Sequence, residues 1–157
     1  MRVITVPTEA LMEMVLLQLE KGGKANLTVT GTSMLPMLRE HQDSVTLVPL
    51  KADLKPGDIA LYRSENEKYI LHRLIRKKAD QYIFCGDNQV QTEAVSKEQL
   101  LAVVSEYAKK GKSCKLTSLG YRFYRLLWVK LFCLRKYYIA LRRKLGRIRR
   151  RNQEEQK

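Results

Sequence analysis

Apolar positions recur along the chain in three different rhythms. In the first stretch, Thr8 and Glu9 open an apolar run that stops at Gly22-Gly23, with Met12, Val15, Leu16 and Leu19 on one helical face. This predicts a helix over residues 8–20. From Asn26 to Tyr107 the texture changes to short β-branched and aromatic runs: LTVT (27–30), SVTLVPL (44–50), DIALYR (58–63), YILHRLI (69–75), QYIFC (81–85) and LAVVSEY (101–107). Turn formers such as Lys55-Pro56-Gly57-Asp58 and Gly86-Asp87-Asn88 separate them, so they read as six strands of a mainly β barrel or folded sheet. The third rhythm follows KKGKSCK (109–115): Tyr124, Leu127, Leu131, Leu134, Tyr138, Leu141, Leu145 and Ile148 recur alternately three and four residues apart. Arg122, Arg125, Arg135, Lys136, Arg142, Arg143, Arg147 and Arg150 lie off that stripe. The pattern is that of a cationic amphipathic helix of roughly 30 residues. The expected organisation is therefore an N-terminal helical segment (1–25), a β domain (26–108), a basic linker (109–117) and a cationic helix with its tail (118–157).

Charge sharpens this division. The 157 residues carry 30 Lys and Arg against 16 Asp and Glu, a net charge of +14. Residues 1–105 hold 13 of each sign, whereas 121–157 hold 13 basic side chains and 2 acidic ones. A neutral body thus carries a basic appendage, which argues against a basic nucleic-acid groove across the body. Cys85, Cys114 and Cys133 are odd in number and widely spaced, so neither a disulfide framework nor a zinc site is expected, and a reducing compartment fits. No run of about 18 apolar residues predicts a membrane span.

The segment with chemical character is TGTSMLPML (30–38), where Gly31 and Pro36 bend the chain around Ser33 just after an expected strand. A serine in a turn is ordinarily a cap, but here ordered boxes follow it. Gly-Thr-Ser-Met-Leu-Pro, then Leu-Lys-Pro-Gly-Asp-Ile-Ala (54–60), Ile-Leu-His-Arg-Leu-Ile (70–75) and Cys-Gly-Asp-Asn (85–88) resemble the boxes of the signal peptidase I and LexA-like serine peptidase clan. The resemblance covers about residues 26–107. It implies a LexA/signal-peptidase-like β fold and a serine endopeptidase that removes a leader or signal-like segment. Where bacterial members place a lysine, this chain has His72 before Arg73, as in the archaeal and endoplasmic-reticulum type.

The resemblance implies Ser33 as nucleophile and His72 as base. A serine hydroxyl needs a base, and imidazole titrates near neutrality. A packed core histidine is the competing reading of His72, which alternates with Ile70 and Leu74. Two acids follow that could orient the imidazole, Asp87 in the Gly-Asp-Asn turn and Glu93, where the histidine-type enzymes carry Asp; a dyad with no third member is the other reading of that departure. The oxyanion hole would use the backbone N–H of Ser33, with Thr32 as the nearest hydroxyl. His41-Gln42-Asp43 stands where the clan reads Gly-Asp, with Asp43 expected to keep the turn and His41 to be a loop residue. No metal or organic cofactor is expected. The substrate would be an extended peptide or protein segment laid along a strand edge.

For the cationic helix, Leu127, Trp128, Leu131, Phe132, Tyr138, Arg135 and Arg142 suggest an anionic membrane surface, placing the protein in the cytoplasm at the membrane periphery. A stripe packed on the protein's own body is the alternative. Arginines flanking the stripe disfavour pairing of two copies through it, and the oligomeric state stays open. The rival function is a non-catalytic or regulatory module of the same fold, binding peptide or nucleic acid. A single helix at residues 8–20 is too little for a helix-turn-helix reader.

Overall fold

A computed structural model describes residues 8–135 and 137–142. Helix α1 (Thr8–Glu20) precedes β1 (Ala25–Thr28), β2 (Asp43–Val48), β3 (Ile59–Arg63), β4 (Tyr69–Lys78), β5 (Gln81–Cys85), β6 (Glu93–Val95), β7 (Leu100–Lys109) and β8 (Lys112–Lys115). Helix α2 (Leu119–Lys130) and a short 3-10 turn (Phe132–Leu134) follow. All strand pairs are antiparallel, in the order β1-β2-β7-β3-β4-β5-β6, with β8 added to β7. Among the described residues the path does not close, so the protein is mainly β with an open sheet.

The burial of β3 explains its unbroken apolar sequence. Ile59 and Leu61 enter one core with Met12, Leu38 and Leu47, while Ala60 and Tyr62 enter a second with Leu74, Phe84 and Val95. A strand covered on both faces needs no polar alternation. By contrast, β2 alternates buried and half-buried positions as its sequence does. Met12, Val15 and Leu19 of α1 close the first core.

The first strand lies at Ala25–Thr28 rather than 27–30, the three-residue β6 was not expected, and two larger departures follow. The basic linker is a hairpin: β7 runs to Lys109, turns through Lys110 (φ 48°) and Gly111 (φ 79°), and returns as β8. Two consecutive left-handed residues make the turn whose twist suits paired strands, and lysine composition hid it. The C-terminal stripe is not one continuous helix. Ser118 caps α2 by accepting the Tyr121 N–H at 3.3 Å. The helix ends at Lys130, passes through the 3-10 turn, and is helical again at 137–142. Lys136, Arg143, Leu145, Arg147, Ile148, Arg150 and the basic tail lie outside the described residues. No helix among the described residues is long and apolar enough to cross a membrane.

Candidate active site

The turn that carries Ser33 is built from its buried flanks. Met34, Met37 and Leu38 sink into the first core, and the Leu38 N–H donates to the Met34 carbonyl at 3.0 Å. Gly31 is left-handed (φ 76°) and the Leu35-Pro36 peptide is cis. Ser33 is left half-buried on the wall of a cleft of about 360 Å³ that His72 also lines. The turn is stitched to the loop after β5: the Asn88 N–H donates to the Ser33 carbonyl at 2.7 Å, and the Asn88 amide to the Thr32 carbonyl at 3.2 Å. Thr32 itself is exposed.

His72 lies on β4 opposite Ala60 of β3 and is 8% exposed. A glycine at position 86 brings the two candidate residues together. A Cβ there would sit 2.7 Å from the Ser33 carbonyl oxygen and 3.0 Å from His72 Nε2. Those two atoms are thus no farther apart than the two distances combined, with His72 Nε2 and the Ser33 carbonyl both facing Gly86. Beside them, β4 is incompletely paired. Strand β5 ends with Cys85 opposite Arg73, so residues 69–72 are matched by β3 on one side without a β5 partner on the other. This edge and residues 27–30 line the same cleft.

The two acids have different surroundings. Asp87 is fully buried and held bidentately by Arg73, with Nε to Oδ1 and Nη2 to Oδ2 both at 2.8 Å. Tyr124 donates to Oδ2 of Asp87 at 3.0 Å, and Arg73 Nη1 donates to the Gly57 carbonyl and Tyr121 hydroxyl. Its carboxylate is therefore committed to an ion pair rather than to the imidazole. Glu93 reaches His72 indirectly. Tyr62 Oη donates to Glu93 Oε2 at 2.7 Å and lies 3.1 Å from His72 Nδ1. The register makes this contact: Ala60 faces His72, so Tyr62, two residues along β3, is its diagonal neighbour on the same face. Leu74, Phe84 and Glu93 are successive partners across β4, β5 and β6, which aligns Glu93 with that face. Tyr62 was not singled out from the sequence because neither its strand register nor the short β6 is visible there.

Burial pushes the His72 imidazole down to about 4, against an opposing pull from the Asp87 charge. Burial, followed by the Glu93 hydrogen bond and charge, holds the Tyr62 phenol well above its ordinary value. Near neutrality the site thus combines an uncharged imidazole with a protonated phenol. Burial likewise raises the Cys85 thiol, which donates to backbone carbonyls including Gln91 at 3.1 Å.

Several side chains read from the sequence as lipid-facing instead hold this loop. Trp128 donates from its indole to the Asp87 carbonyl at 3.0 Å, and stacks on Tyr124. Arg135, 4% exposed, donates to the Gly86 carbonyl at 2.9 Å and to the Trp128 carbonyl at 2.8 Å. Arg142 reaches Asn88 Oδ1 at 3.4 Å. Leu127 and Phe132 are half-buried, whereas Leu131 and Tyr138 are exposed. Trp128 lies within α2, whereas Arg135 and Arg142 follow the break after Lys130, and all three reach residues 86–88, which the lipid-facing reading does not anticipate. Asp43, as expected, organises its turn, accepting the Arg39 and Lys110 N–H groups, and His41 is a left-handed loop residue. Among the described residues no cluster of His, Cys, Asp or Glu is arranged to hold a metal. Neither protein-family models nor curated proteins give a match to this chain.

Proposed function

We propose that this protein is a serine endopeptidase of the LexA/signal-peptidase-like type, with Ser33 as nucleophile and His72 as general base. The observation that carries this reading is the convergence of His72 Nε2 and the Ser33 carbonyl on Gly86, beside a cleft bordered by a β4 edge, residues 69–72, that has no second strand partner among the described residues. An extended peptide laid along residues 69–72 would form main-chain hydrogen bonds there, which sets its register without a deep pocket. His72 Nε2 takes the Ser33 hydroxyl proton as the oxygen attacks the scissile carbonyl. The resulting oxyanion is met by the Ser33 N–H, and the imidazolium returns the proton to the leaving amine. Water, deprotonated by the same nitrogen, then hydrolyses the acyl-enzyme.

The partner class is a peptide or protein with an extended leader-like segment. The exposed side chains Leu119, Phe123, Leu126, Leu131, Leu134 and Leu141, flanked by Arg122 and Lys130, support attachment to an anionic membrane surface. These residues differ from the inward-facing Trp128 and Arg135. A cytoplasmic, peripheral position belongs to the same proposal.

Incubation of the protein with a degenerate library of extended peptides, read by mass spectrometry, tests the activity. Ser33→Ala and His72→Ala are expected to abolish every cleavage that the unsubstituted chain makes. Cleavage persisting in both variants would reject the mechanism.

A further inference from the structure

We propose that Tyr62 is a positioning residue that transmits the orienting effect of Glu93 to His72, holding the imidazole as its Nδ1–H tautomer. The inference rests on the peptidase reading above and adds a member that the sequence boxes do not contain. Proton counting on the three side chains carries it. A glutamate carboxylate can only accept hydrogen bonds, and a phenol has one proton to give. The 2.7 Å contact with Glu93 uses that proton, since a charge-assisted bond is stronger than a neutral one. The phenol oxygen is then left to accept, and the group 3.1 Å away that can donate to it is His72 Nδ1–H. With Nδ1 protonated, the lone pair resides on Nε2, the nitrogen that faces Gly86, where the Ser33 carbonyl also lies. A general base for Ser33 requires this tautomer.

The arrangement also supports the charged form. When Nε2 takes the serine proton, the imidazolium's Nδ1–H points along a chain ending in a carboxylate. The phenol keeps its own proton throughout. The other titratable groups around this corner are Cys85 at the end of β5, Asp87 in the loop after it, and Arg73, Tyr124 and Arg135, which pack on that loop. The Asp87 carboxylate is paired with Arg73, and the Cys85 thiol donates to backbone carbonyls. Neither supplies a carboxylate linked to the ring, which leaves Glu93 to do so through the Tyr62 phenol. The edge-on packing of the Tyr62 and His72 rings, with centroids 6.2 Å apart, and the Tyr62 contact with Phe84 at 4.8 Å hold the phenol in place.

Long-range proton–nitrogen NMR of the labelled full-length chain at pH 7 tests this without a substrate. His41 and His72 are its two histidines, so His41 serves as an internal reference. The expected result is His72 protonated at Nδ1, shifting toward the Nε2–H form in Tyr62→Phe, which keeps the ring packing. Glu93→Gln is the second variant and alters a side chain at the half-buried margin. Its amide can offer either a donor or an acceptor to Tyr62, so a mixed tautomer is expected. An Nε2-protonated ring in the unsubstituted protein, or an unchanged His72 signature in both variants, overturns the proposal. In the peptide assay Tyr62→Phe is expected to lower kcat by about ten- to a hundred-fold with little change in KM, a range typical of partners that orient a reactive group. Cleavage surviving Ser33→Ala and His72→Ala defeats the peptidase reading whatever the tautomer. Loss of cleavage in those variants alongside unchanged kinetics and tautomer in Tyr62→Phe defeats the relay alone.

Discussion

Burial ties the chemistry of His72 to the stability of the fold. The unfolded chain takes up a proton at this imidazole below its ordinary value of 6.5, whereas the folded chain does so only below about 4. In that interval the unfolded state binds more protons, so stability falls as the pH is lowered, by up to about 1.4 kcal/mol per unit. The contribution is complete above about 6.5 and lost below about 4. Denaturant titrations of the native chain and His72→Gln from pH 7 to pH 4 are expected to diverge by about 3 kcal/mol in the change of unfolding free energy. Parallel pH dependences would refute the neutral, buried imidazole. At this same scale, the sequence boxes brought Ser33 and His72 forward but left Asp87 and Glu93 as alternatives. Nothing near Asp87 in the sequence reveals that Arg73, 14 residues earlier, holds its carboxylate. Tyr62 is likewise an ordinary strand residue until its register with β4 is known.

The loop after β5 joins elements that are distant in sequence. Asp87 meets Arg73 from β4 and Tyr124 from α2, while its carbonyl accepts from Trp128 and the preceding one from Arg135. Removing one member of a fully buried ion pair leaves the other charge uncompensated, at a cost of about 3–5 kcal/mol. Asp87→Ala is therefore expected to destabilise the protein by that amount. Combined with Arg73→Met, it is expected to cost less than the two single changes together, measured by chemical denaturation. A loss below about 1 kcal/mol in Asp87→Ala would show that this junction does not support the fold. Helix α1 and the longer strands were legible because their apolar periods extend over several residues. Strand β6, three residues long, is too short to show a period, and β8 was obscured by its lysines. The predicted single C-terminal helix had the right apolar period locally, but its break after Lys130 accompanies contacts to residues 86–88.

Across the whole molecule, a neutral sheet carries a basic C-terminal segment whose described part is also a structural clasp. Truncation before α2 would confound membrane attachment with loss of the contacts from Tyr121, Tyr124, Trp128 and Arg135. Phe123→Asp combined with Leu126→Asp changes the exposed side instead: Phe123 is 64% and Leu126 52% exposed. This double variant is expected to co-sediment less with anionic phosphatidylserine-containing liposomes than the unsubstituted chain, while retaining its thermal unfolding midpoint. Equal co-sedimentation would reject this face as the lipid contact. The sequence by itself determined α1, the long strands, the neutral-to-basic division and the candidate pair Ser33 and His72, because helical period, alternation, turn chemistry and ordered boxes are properties of neighbouring residues. The tertiary structure decided that the sheet stays open, that Asp87 belongs to Arg73, that Glu93 reaches the imidazole through Tyr62, and that Trp128 and Arg135 face inward. Those outcomes depend on strand register and on packing between residues far apart in the chain, where hydrogen-bond geometry and burial select among side chains that composition leaves equivalent.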